Sequence, residues 1–402
     1  MGVLTTPHGV VKTPSYVFVG TYGKFLHLSP NDIKKTKTQI IIANTFHLQK
    51  EALRGAPSSN DGAPRNLELD SFLTQKLRLK IPTMTDSGGF QVLSLAFGEK
   101  SKISKFMSDL PAKALAKEGS TKKDKTFRRS QIKITPRGVY FKFKGRKMFL
   151  GPELSMKIQH KIGADIMFAF DHITSPLDDF KYNKKAVEMT NKWALQCLKI
   201  NSKFKQQLFG IVQGGLYKSL RQQSAKFIGS LPFDGFGIGG SYTKKQISKT
   251  LKWIIPYLPQ EKPRHLLGVG KVADIFEAIE NGVDLFDCVI PTREARHGRL
   301  YTKTGHMDIR KGKYSKDKKI IEQGCGCPTC LPAGRPARLI TRSKTRELIK
   351  SQKPALNAAG QRLCLMHNMW FFNNLVERIR DSIAKSKFKE FKLKFLAGFD
   401  KS

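Results

Sequence analysis

The sequence predicts an α/β chain folded as a (β/α)8 TIM barrel, with a small antiparallel β insert and a C-terminal metal-binding subdomain. Three observations predict it. Eight short apolar runs each end in glycine or a polar residue, helical periodicity fills most gaps between them, and three cysteines cluster near the C-terminal end. Apolar runs without polar alternation are typical of strands that are covered on both faces, as in a parallel barrel.

The eight apolar runs are the predicted barrel strands, and they cover 15–20, 40–45, 81–86, 165–171, 208–214, 235–240, 265–270 and 285–291. Apolar residues at helical spacing predict helices over 152–163, 183–200, 216–231, 244–258 and 271–282. Strands that alternate with helices favour a parallel sheet, and eight of them favour a closed barrel. An open doubly wound sheet is the competing architecture.

Two segments interrupt the alternation and set the predicted domain limits. The barrel domain is predicted over 1–310, with an insert at 98–150 that contains a basic, solvated loop around 118–130. The end of the insert alternates apolar and polar residues around the turn signals "PRG" and "KGRK", which predicts antiparallel strands. The remaining 311–402 forms the predicted appendage, which ends in a helix over 367–385.

The charge balance is strongly basic. Among 402 residues, Lys and Arg number 72 against 32 for Asp and Glu, a formal net charge of +40. Such an excess attracts polyanions, and nucleic acid is the first candidate, with a generally cationic surface as the alternative. The N-terminus lacks the pattern of a secretory signal, and no apolar run approaches the roughly 18 residues of a membrane span. We therefore expect a soluble, cytoplasmic protein without a membrane partner.

The predicted strands carry polar or glycine residues where they end. In order these are Asn44, Asp86, Asp171, Gln213, Gly240 and Gly268, with Asp287 inside the last strand. Active sites of such barrels lie at the carboxyl ends of the strands. A single Asp at a strand end is often only a helix cap, but three from separate strands predict a functional site.

The segment "TDSGGFQ" adds a binding surface to this site. Ser87, Gly88 and Gly89 present backbone N–H groups with little bulk, so that a flat ligand could approach closely. Alone, the segment would be interpreted as a plain glycine-rich turn. Beside Asp171 and Gln213 it predicts a pocket for a planar, purine-like heterocycle, because carboxylates and amides complement the donors and acceptors of such a base.

The cysteine cluster predicts a structural zinc site. Cys325, Cys327 and Cys330 form a C-x-C-x2-C pattern, and a closed tetrahedral site needs a fourth ligand. His367 is the best candidate and Cys364 is its rival. Three free thiols in a tight turn are the alternative. The chain has no His-x-His pair at a strand end, which disfavours a metal-dependent hydrolase on the same barrel.

Several motifs together resemble one known family. They occur in the family's order over nearly the whole chain and include "VGTYGKFLHLSPNDI", "IIIANTFHL", "TDSGGFQVLSL", "LFGIVQGGLYKSLR", "GVDLFDCVIPTREARHGRLYT" and "CGCPTC". The family is tRNA-guanine transglycosylase, also called queuine tRNA-ribosyltransferase. The resemblance implies a zinc-bearing barrel that exchanges the wobble guanine of tRNAs with a GUN anticodon for a 7-deazaguanine base, queuine or a precursor of it. It also implies a homodimer.

The resemblance assigns expected roles to individual residues. Asp287 matches the covalent nucleophile, and Asp86 matches the general acid/base. The positions implied for base binding are Ser87, Gly88, Gly89, Phe90, Asp171, Gln213 and Gly240, with Asn44 orienting the acids. The positions implied for RNA binding are Gly268, Val269, Gly270, Lys271, Val272, Ala273 and Asp274, followed by Thr292, Arg293, Glu294, Ala295 and Arg296. The implied ligands of one structural Zn²⁺ are Cys325, Cys327, Cys330 and His367.

This sequence also departs from the family pattern. Many bacterial members have a glutamate where this chain has Lys245, in a loop that helps to select the incoming base, so the identity of that base stays open. Two alternative functions also stay open. One is a deazapurine transglycosylase acting on DNA or on another tRNA position, and the other is a non-catalytic subunit that only binds tRNA. Retention of both Asp86 and Asp287 disfavours the latter.

Overall fold

The computed structural model describes residues 1–54, 71–89, 132–143, 145–175, 178–240, 246–331 and 340–399. The strands in these ranges are β1 (Gly2–Thr6), β2 (Gly9–Thr13), β3 (Ser15–Val19), β4 (Ile41–Ala43), β5 (Thr83–Thr85), β6 (Ile132–Thr135), β7 (Gly138–Phe143), β8 (Arg146–Leu150), β9 (Ile166–Phe168), β10 (Gln207–Val212), β11 (Gly235–Ile238), β12 (Arg264–Leu266), β13 (Leu285–Cys288), β14 (Arg299–Thr302) and β15 (Gly305–Asp308).

The helices in the same ranges are α1 (Pro30–Lys35), α2 (Thr45–Arg54), α3 (Phe72–Leu77), α4 (Pro152–Ile162), α5 (Phe180–Asn201), α6 (Lys218–Gly229), α7 (Ile247–Ile254), α8 (Val272–Glu280), α9 (Ile290–Arg296), α10 (Arg342–Lys350), α11 (Pro354–Ala384) and α12 (Phe388–Phe399). Short 3-10 turns follow at Ile255–Tyr257 and Gly312–Tyr314. None of the helices described is long and apolar enough to cross a membrane.

The predicted barrel is confirmed. Eight parallel strands, β3, β4, β5 and then β9 to β13, pair in chain order, and β13 closes the ring by pairing with β3. Each coincides with one of the eight apolar runs. The strand residues are almost all buried because helices cover the outside and side chains fill the inside. One cluster of buried side chains includes Val17, Ile42, Met84, Ile166, Phe168, Phe209, Ile211 and Leu285.

The predicted antiparallel insert is also confirmed. β6, β7 and β8 form a three-stranded sheet between β5 and α4, with turns at the two predicted sites. One face of this sheet joins the main core through Val139, Phe141 and Leu150. The basic loop predicted around 118–130 lies outside the described residues.

The C-terminal region packs closely on the barrel. α11 begins at Pro354, well before the predicted start at residue 367. The ring of Phe372 on α11 lies 4.9 Å from that of Tyr16 on β3, and Arg362 forms a two-point ion pair with the buried Asp32 of α1. The helix starts early because Pro354 occupies its first turn, a position where proline is favoured.

Two hairpins were not predicted. β1 and β2 precede the barrel, and β14 and β15 follow α9. Both are short, and each turns through a glycine with positive φ, Gly9 or Gly305. Strands of four or five residues give too little alternation to stand out from the neighbouring apolar runs.

Candidate active site

A cavity of about 200 Å³ opens at the carboxyl ends of the barrel strands. Its wall contains predicted site residues from seven strands or the loops that follow them: Asn44, Asp86, Ser87, Gly88, Asp171, Gln213, Gly240, Gly268 and Asp287. The structure therefore brings together residues that are more than 240 positions apart in the chain. Phe90 and Lys245 lie outside the described residues, so their positions stay predictions.

Asp86 is held at the end of β5 by donors on both carboxylate oxygens. Its Oδ1 accepts hydrogen bonds from the backbone N–H groups of Thr45 at 3.0 Å and Gly88 at 3.1 Å. Its Oδ2 accepts one from Asn44 Nδ2 at 2.5 Å. Gly88 delivers its N–H from a backbone with φ +79°, which other residues rarely adopt. The side chain of Asn44 is thus in direct contact with the carboxylate of Asp86.

Asp171 forms a buried network with Ser87 and Gln213. Ser87 Oγ donates to Asp171 Oδ1 at 3.1 Å, and Gln213 Nε2 donates to Asp171 Oδ2 at 2.6 Å. Burial is the largest influence and raises the pKa of Asp171 to about 6, while these two hydrogen bonds oppose the rise. Gln213 Oε1 is buried without a hydrogen-bond partner among the described residues. The network therefore presents an unsatisfied acceptor in the cavity wall.

A buried arginine fixes the loops beyond β10 and β11. Arg221 is fully buried, and its guanidinium donates to the carbonyl oxygens of Gly215 at 2.8 Å and Gly239 at 2.6 Å. These loops carry Gln213 and Gly240. A side chain at Gly239 would place its Cβ 2.5 Å from Gln213 Nε2, so glycine is needed for the glutamine to reach Asp171. No pattern in the sequence singled out Arg221.

Asp287 differs from the other acids because one of its oxygens is left open. Its Oδ1 accepts hydrogen bonds from His265 Nε2 at 2.9 Å and from the N–H of Gly268 at 3.1 Å. Among the described residues, nothing donates a hydrogen bond to Oδ2. The side chain of Asp287 is 16% exposed and that of His265 is fully buried. The carboxylate is thus fixed through one oxygen while it faces the cavity.

His265 is the site residue that the sequence analysis overlooked. It lies on β12 beside β13, and its ring meets that of Phe168 edge to face at 5.3 Å. Because a carboxylate oxygen only accepts, Nε2 must carry the hydrogen in this contact. A signal was present in the sequence, because His265 is a polar residue at the start of the apolar run 265–270.

One of the two predicted RNA-binding segments lines the cavity, and the other begins two residues after Ile290, which also lines it. The segment 268–274 runs from the end of β12 into α8, and Gly268, Val269, Gly270, Lys271 and Asp274 line the wall. The segment 292–296 lies within α9, directly after β13.

The side chains of α9 divide into buried and partly exposed ones. Thr292 and Ala295 are buried, whereas Arg293, Glu294 and Arg296 are partly exposed. Burial, and then repulsion from Arg293, lowers the pKa of Arg296, so the two cations lie close together. Glu294 is also a hydrogen-bond and charge neighbour of Tyr301. Of this segment, the two arginines are therefore the best placed to meet an anion.

A second cluster lies between the β14–β15 hairpin and α11. The ligand atoms of Cys325, Cys327, Cys330 and His367 lie within 4.8 Å of one another, and all four residues are buried. Three thiols and an imidazole can hold a metal ion. Cys364 lies outside this group, and burial raises the pKa of its thiol to about 12.

The imidazole of His367 is oriented as a metal ligand requires. Its Nε2 donates to the carbonyl oxygen of Tyr301 at 2.7 Å. The unprotonated Nδ1 then faces the sulfurs, 3.3 Å from Cys327 and 3.7 Å from Cys330. Such a fixed tautomer is typical of histidines that bind metals.

Comparisons with known proteins agree with this geometry. A sequence model of the queuine tRNA-ribosyltransferase family matches residues 1–111 and 97–401. A relative from Archaeoglobus fulgidus is 36% identical, over 98% of this chain and 96% of its own length. The queuine tRNA-ribosyltransferase of Clostridium botulinum strain Langeland is 35% identical, over 97% of this chain and 94% of its own. The chain therefore belongs to the queuine tRNA-ribosyltransferase family.

Proposed function

We propose that this protein is a tRNA-guanine transglycosylase that exchanges the wobble guanine of GUN-anticodon tRNAs for a 7-deazaguanine base. The observation that carries the proposal is a single cavity containing an acid with one open oxygen, an acid with donors on both oxygens and an acid–amide pair. These three features suit, in turn, a nucleophile, a proton carrier and a base-binding edge.

The first half of the proposed reaction breaks the bond between guanine and ribose. Oδ2 of the ionised Asp287 attacks C1′ of the ribose, and the C1′–N9 electron pair leaves with guanine. Asp86 gives a proton to the departing guanine, which leaves as a neutral base. The product is a glycosyl ester on Asp287, whose Oδ1 has become the ester carbonyl oxygen and still accepts from His265 and Gly268.

The second half reverses these steps with a different base. Asp86, now ionised, removes a proton from the incoming 7-deazaguanine, and the base nitrogen attacks C1′ from the face that guanine left. The ester bond breaks, Asp287 regains its carboxylate, and Asp86 regains its proton. Two inversions at C1′ give net retention of configuration. A retaining glycosidase reacts in the same way, with water in place of the incoming base.

Base recognition follows from the buried network. A guanine-like edge offers adjacent N–H donors, and the ionised carboxylate of Asp171 and the free Oε1 of Gln213 are acceptors that suit them. The backbone at Gly240 lies in the same wall. Leaving a buried acceptor unpaired costs free energy, so a base that supplies the missing donor is favoured.

The neighbouring cations suit a polyanion. The wobble nucleotide must leave the anticodon stack, which costs roughly a few kcal/mol and least in a single-stranded loop. Arg293 and Arg296 follow the nucleophile by only a few residues and can hold phosphates next to the flipped nucleotide. Their charge would offset part of the unstacking cost.

We also propose that the cysteine–histidine group binds one structural Zn²⁺, which would link the segment after β15 to α11. Cys327→Ala should lose the metal and melt at a lower temperature, as elemental analysis and thermal denaturation would show. Cys364→Ala is the matched control, because it removes a buried thiol outside the group. Full metal content in the Cys327 variant would contradict the ligand set.

The test of the exchange reaction uses tRNA that carries radiolabelled guanine at the wobble position. The protein should release label when given queuine or its aminomethyl or cyano precursor, and the active base identifies the second substrate. Asp287→Ala should reduce release by about 10⁴-fold or more, because it deletes the nucleophile. Its affinity for the tRNA should stay within about twofold of the unmutated protein.

Other results would point to the alternatives. Tight tRNA binding with no release of label for any base would support the accessory-subunit function. Release from another position, or from DNA, would support the broader deazapurine transglycosylase.

A further inference from the structure

We propose that the outward face of the three-stranded insert sheet binds the tRNA as a second contact surface beyond the cavity, an inference that rests on the proposed function. Lys133 stands opposite Tyr140, Tyr140 opposite Phe149, and Lys142 opposite Lys147. Directly opposed residues of antiparallel strands point to the same side of a sheet. These five residues are called here the basic-aromatic face.

The face is positioned on the rim of the barrel mouth. The sheet leaves the barrel after β5 and returns at α4, so it lies on the side where the strands end. Its inner face packs against α2 and Gly88, which supply backbone donors to Asp86. Phe143 lies 5.4 Å from the ring of Phe46 on α2, and a Cβ at Gly88 would lie 3.1 Å from Leu150. An RNA with one nucleotide in the cavity would extend over this rim.

The charges on the face are unfavourable without a ligand. Lys142 and Lys147 stand directly opposite each other, an arrangement that destabilises a sheet. In the described part of the chain no carboxylate forms an ion pair with Lys133, Lys142 or Lys147, although acids do pair with lysines elsewhere on the surface. A polyanion on this face would remove the repulsion.

The aromatic residues give the face a second property that suits RNA. The rings of Tyr140 and Phe149 lie 4.7 Å apart, and Tyr140 is 45% exposed. Exposed rings among lysines on an antiparallel sheet combine base stacking with phosphate attraction, as nucleic-acid-binding sheets do. A surface that binds only through charge would not need the exposed ring.

The experiment measures tRNA affinity at several salt concentrations. In the double variant Lys142→Gln/Lys147→Gln, we expect the dissociation constant at low salt to rise by at least about fivefold. Affinity falls as salt rises, and we expect the slope of log affinity against log salt to become shallower by about 2, one for each lost phosphate contact. The melting temperature should stay equal or rise, because the repulsion is gone. Tyr140→Thr, which keeps a strand-forming residue, should weaken binding independently.

The matched control removes two lysines from the opposite rim, in Lys161→Gln/Lys203→Gln. Lys161 lies in the last turn of α4 and Lys203 follows α5, both at the end where barrel strands begin, and both are exposed. This control should leave affinity and salt slope nearly unchanged. Equal weakening in both double variants would overturn the proposal, since it would mean a general charge effect on a solvated surface.

The exchange assay separates this proposal from the proposed function. If the unmutated protein exchanges guanine and the sheet variants bind tRNA as tightly as it does, only the docking surface is wrong. If the unmutated protein binds tRNA through the basic-aromatic face but never exchanges the base, the proposed docking surface is supported and the proposed exchange reaction is wrong. With saturating tRNA, the sheet variants should keep the exchange rate of the unmutated protein.

Discussion

The two walls of the cavity hold their acids in opposite ways. On the wall of β4, β5 and β9, Asp86 and Asp171 each have hydrogen-bond donors on both carboxylate oxygens. On the wall of β12 and β13, Asp287 has both its donors on Oδ1. The first wall thus holds both oxygens of each carboxylate, whereas the second holds one oxygen of its carboxylate and leaves the other available.

This difference matches the two roles proposed for these carboxylates, which the side-chain type alone would not distinguish. An oxygen without a donor keeps its electron pairs for attack on carbon, while a carboxylate surrounded by donors is better suited to hold a base or to exchange protons. The family resemblance suggested the same division. The geometry supplies an independent physical reason for it.

Among variants of the first wall, the largest effect is expected from removing proton transfer. Asp86→Asn keeps the size of the side chain but loses the acid, and we expect guanine release to fall by about 10³-fold. Little ester should accumulate, because guanine leaves poorly without a proton. Denaturing gels of protein and tRNA, followed by peptide mapping, would measure the ester.

Peptide mapping of the ester can also contradict the roles assigned to the two walls. In the unmutated protein without an incoming base, the ester should be on Asp287. An ester on Asp86 would reverse the roles of the two walls. Asn44→Ala is a milder companion variant, since it removes one donor and leaves the acid.

Much of this could be predicted from the sequence, for reasons that differ between parts of the molecule. The barrel strands were located well because each is a short apolar run bounded by helices, so a local pattern determines it. Asp86, Asp171 and Gln213 were found because they follow such runs. His265 and Arg221 were missed, because their roles depend on partners on other strands or loops. Spacing along the chain gives no sign of those contacts.

An intermediate effect is expected at His265 on the second wall. His265→Phe keeps a flat ring but removes the donor to Asp287. A hydrogen bond to a charged group contributes about 1.5–3 kcal/mol, so the maximal exchange rate should fall roughly 10–100-fold. The second displacement should slow most, because the carboxylate leaves with less support, and the ester should accumulate. Quenched-flow sampling with denaturing gels would follow it.

His265→Gln tests whether the donor is responsible. Its amide can place an N–H near the position of Nε2, so it should recover much of the rate without changing the KM for tRNA. The phenylalanine variant should remain folded, since His265 Nδ1 has no hydrogen-bond partner among the described residues and its removal leaves no acceptor unpaired there. Equal rates in the two variants would show that only packing matters.

The smallest expected effect concerns Asp171 on the first wall and is measured as the pH dependence of base binding. Burial raises the pKa of Asp171 to about 6, and in the proposed base-binding role its ionised form is the stronger acceptor for the N–H groups of the base. The KM for the free base should therefore be constant well above pH 6 and rise about tenfold per unit below it. Ser87→Ala removes a hydrogen bond that lowers this pKa, so the midpoint should move to higher pH.

In Asp171→Asn the KM should be high and insensitive to pH. A flat KM between pH 5 and 7 in the unmutated protein, measured by exchange at saturating tRNA, would mean that Asp171 does not bind the base in its ionised form.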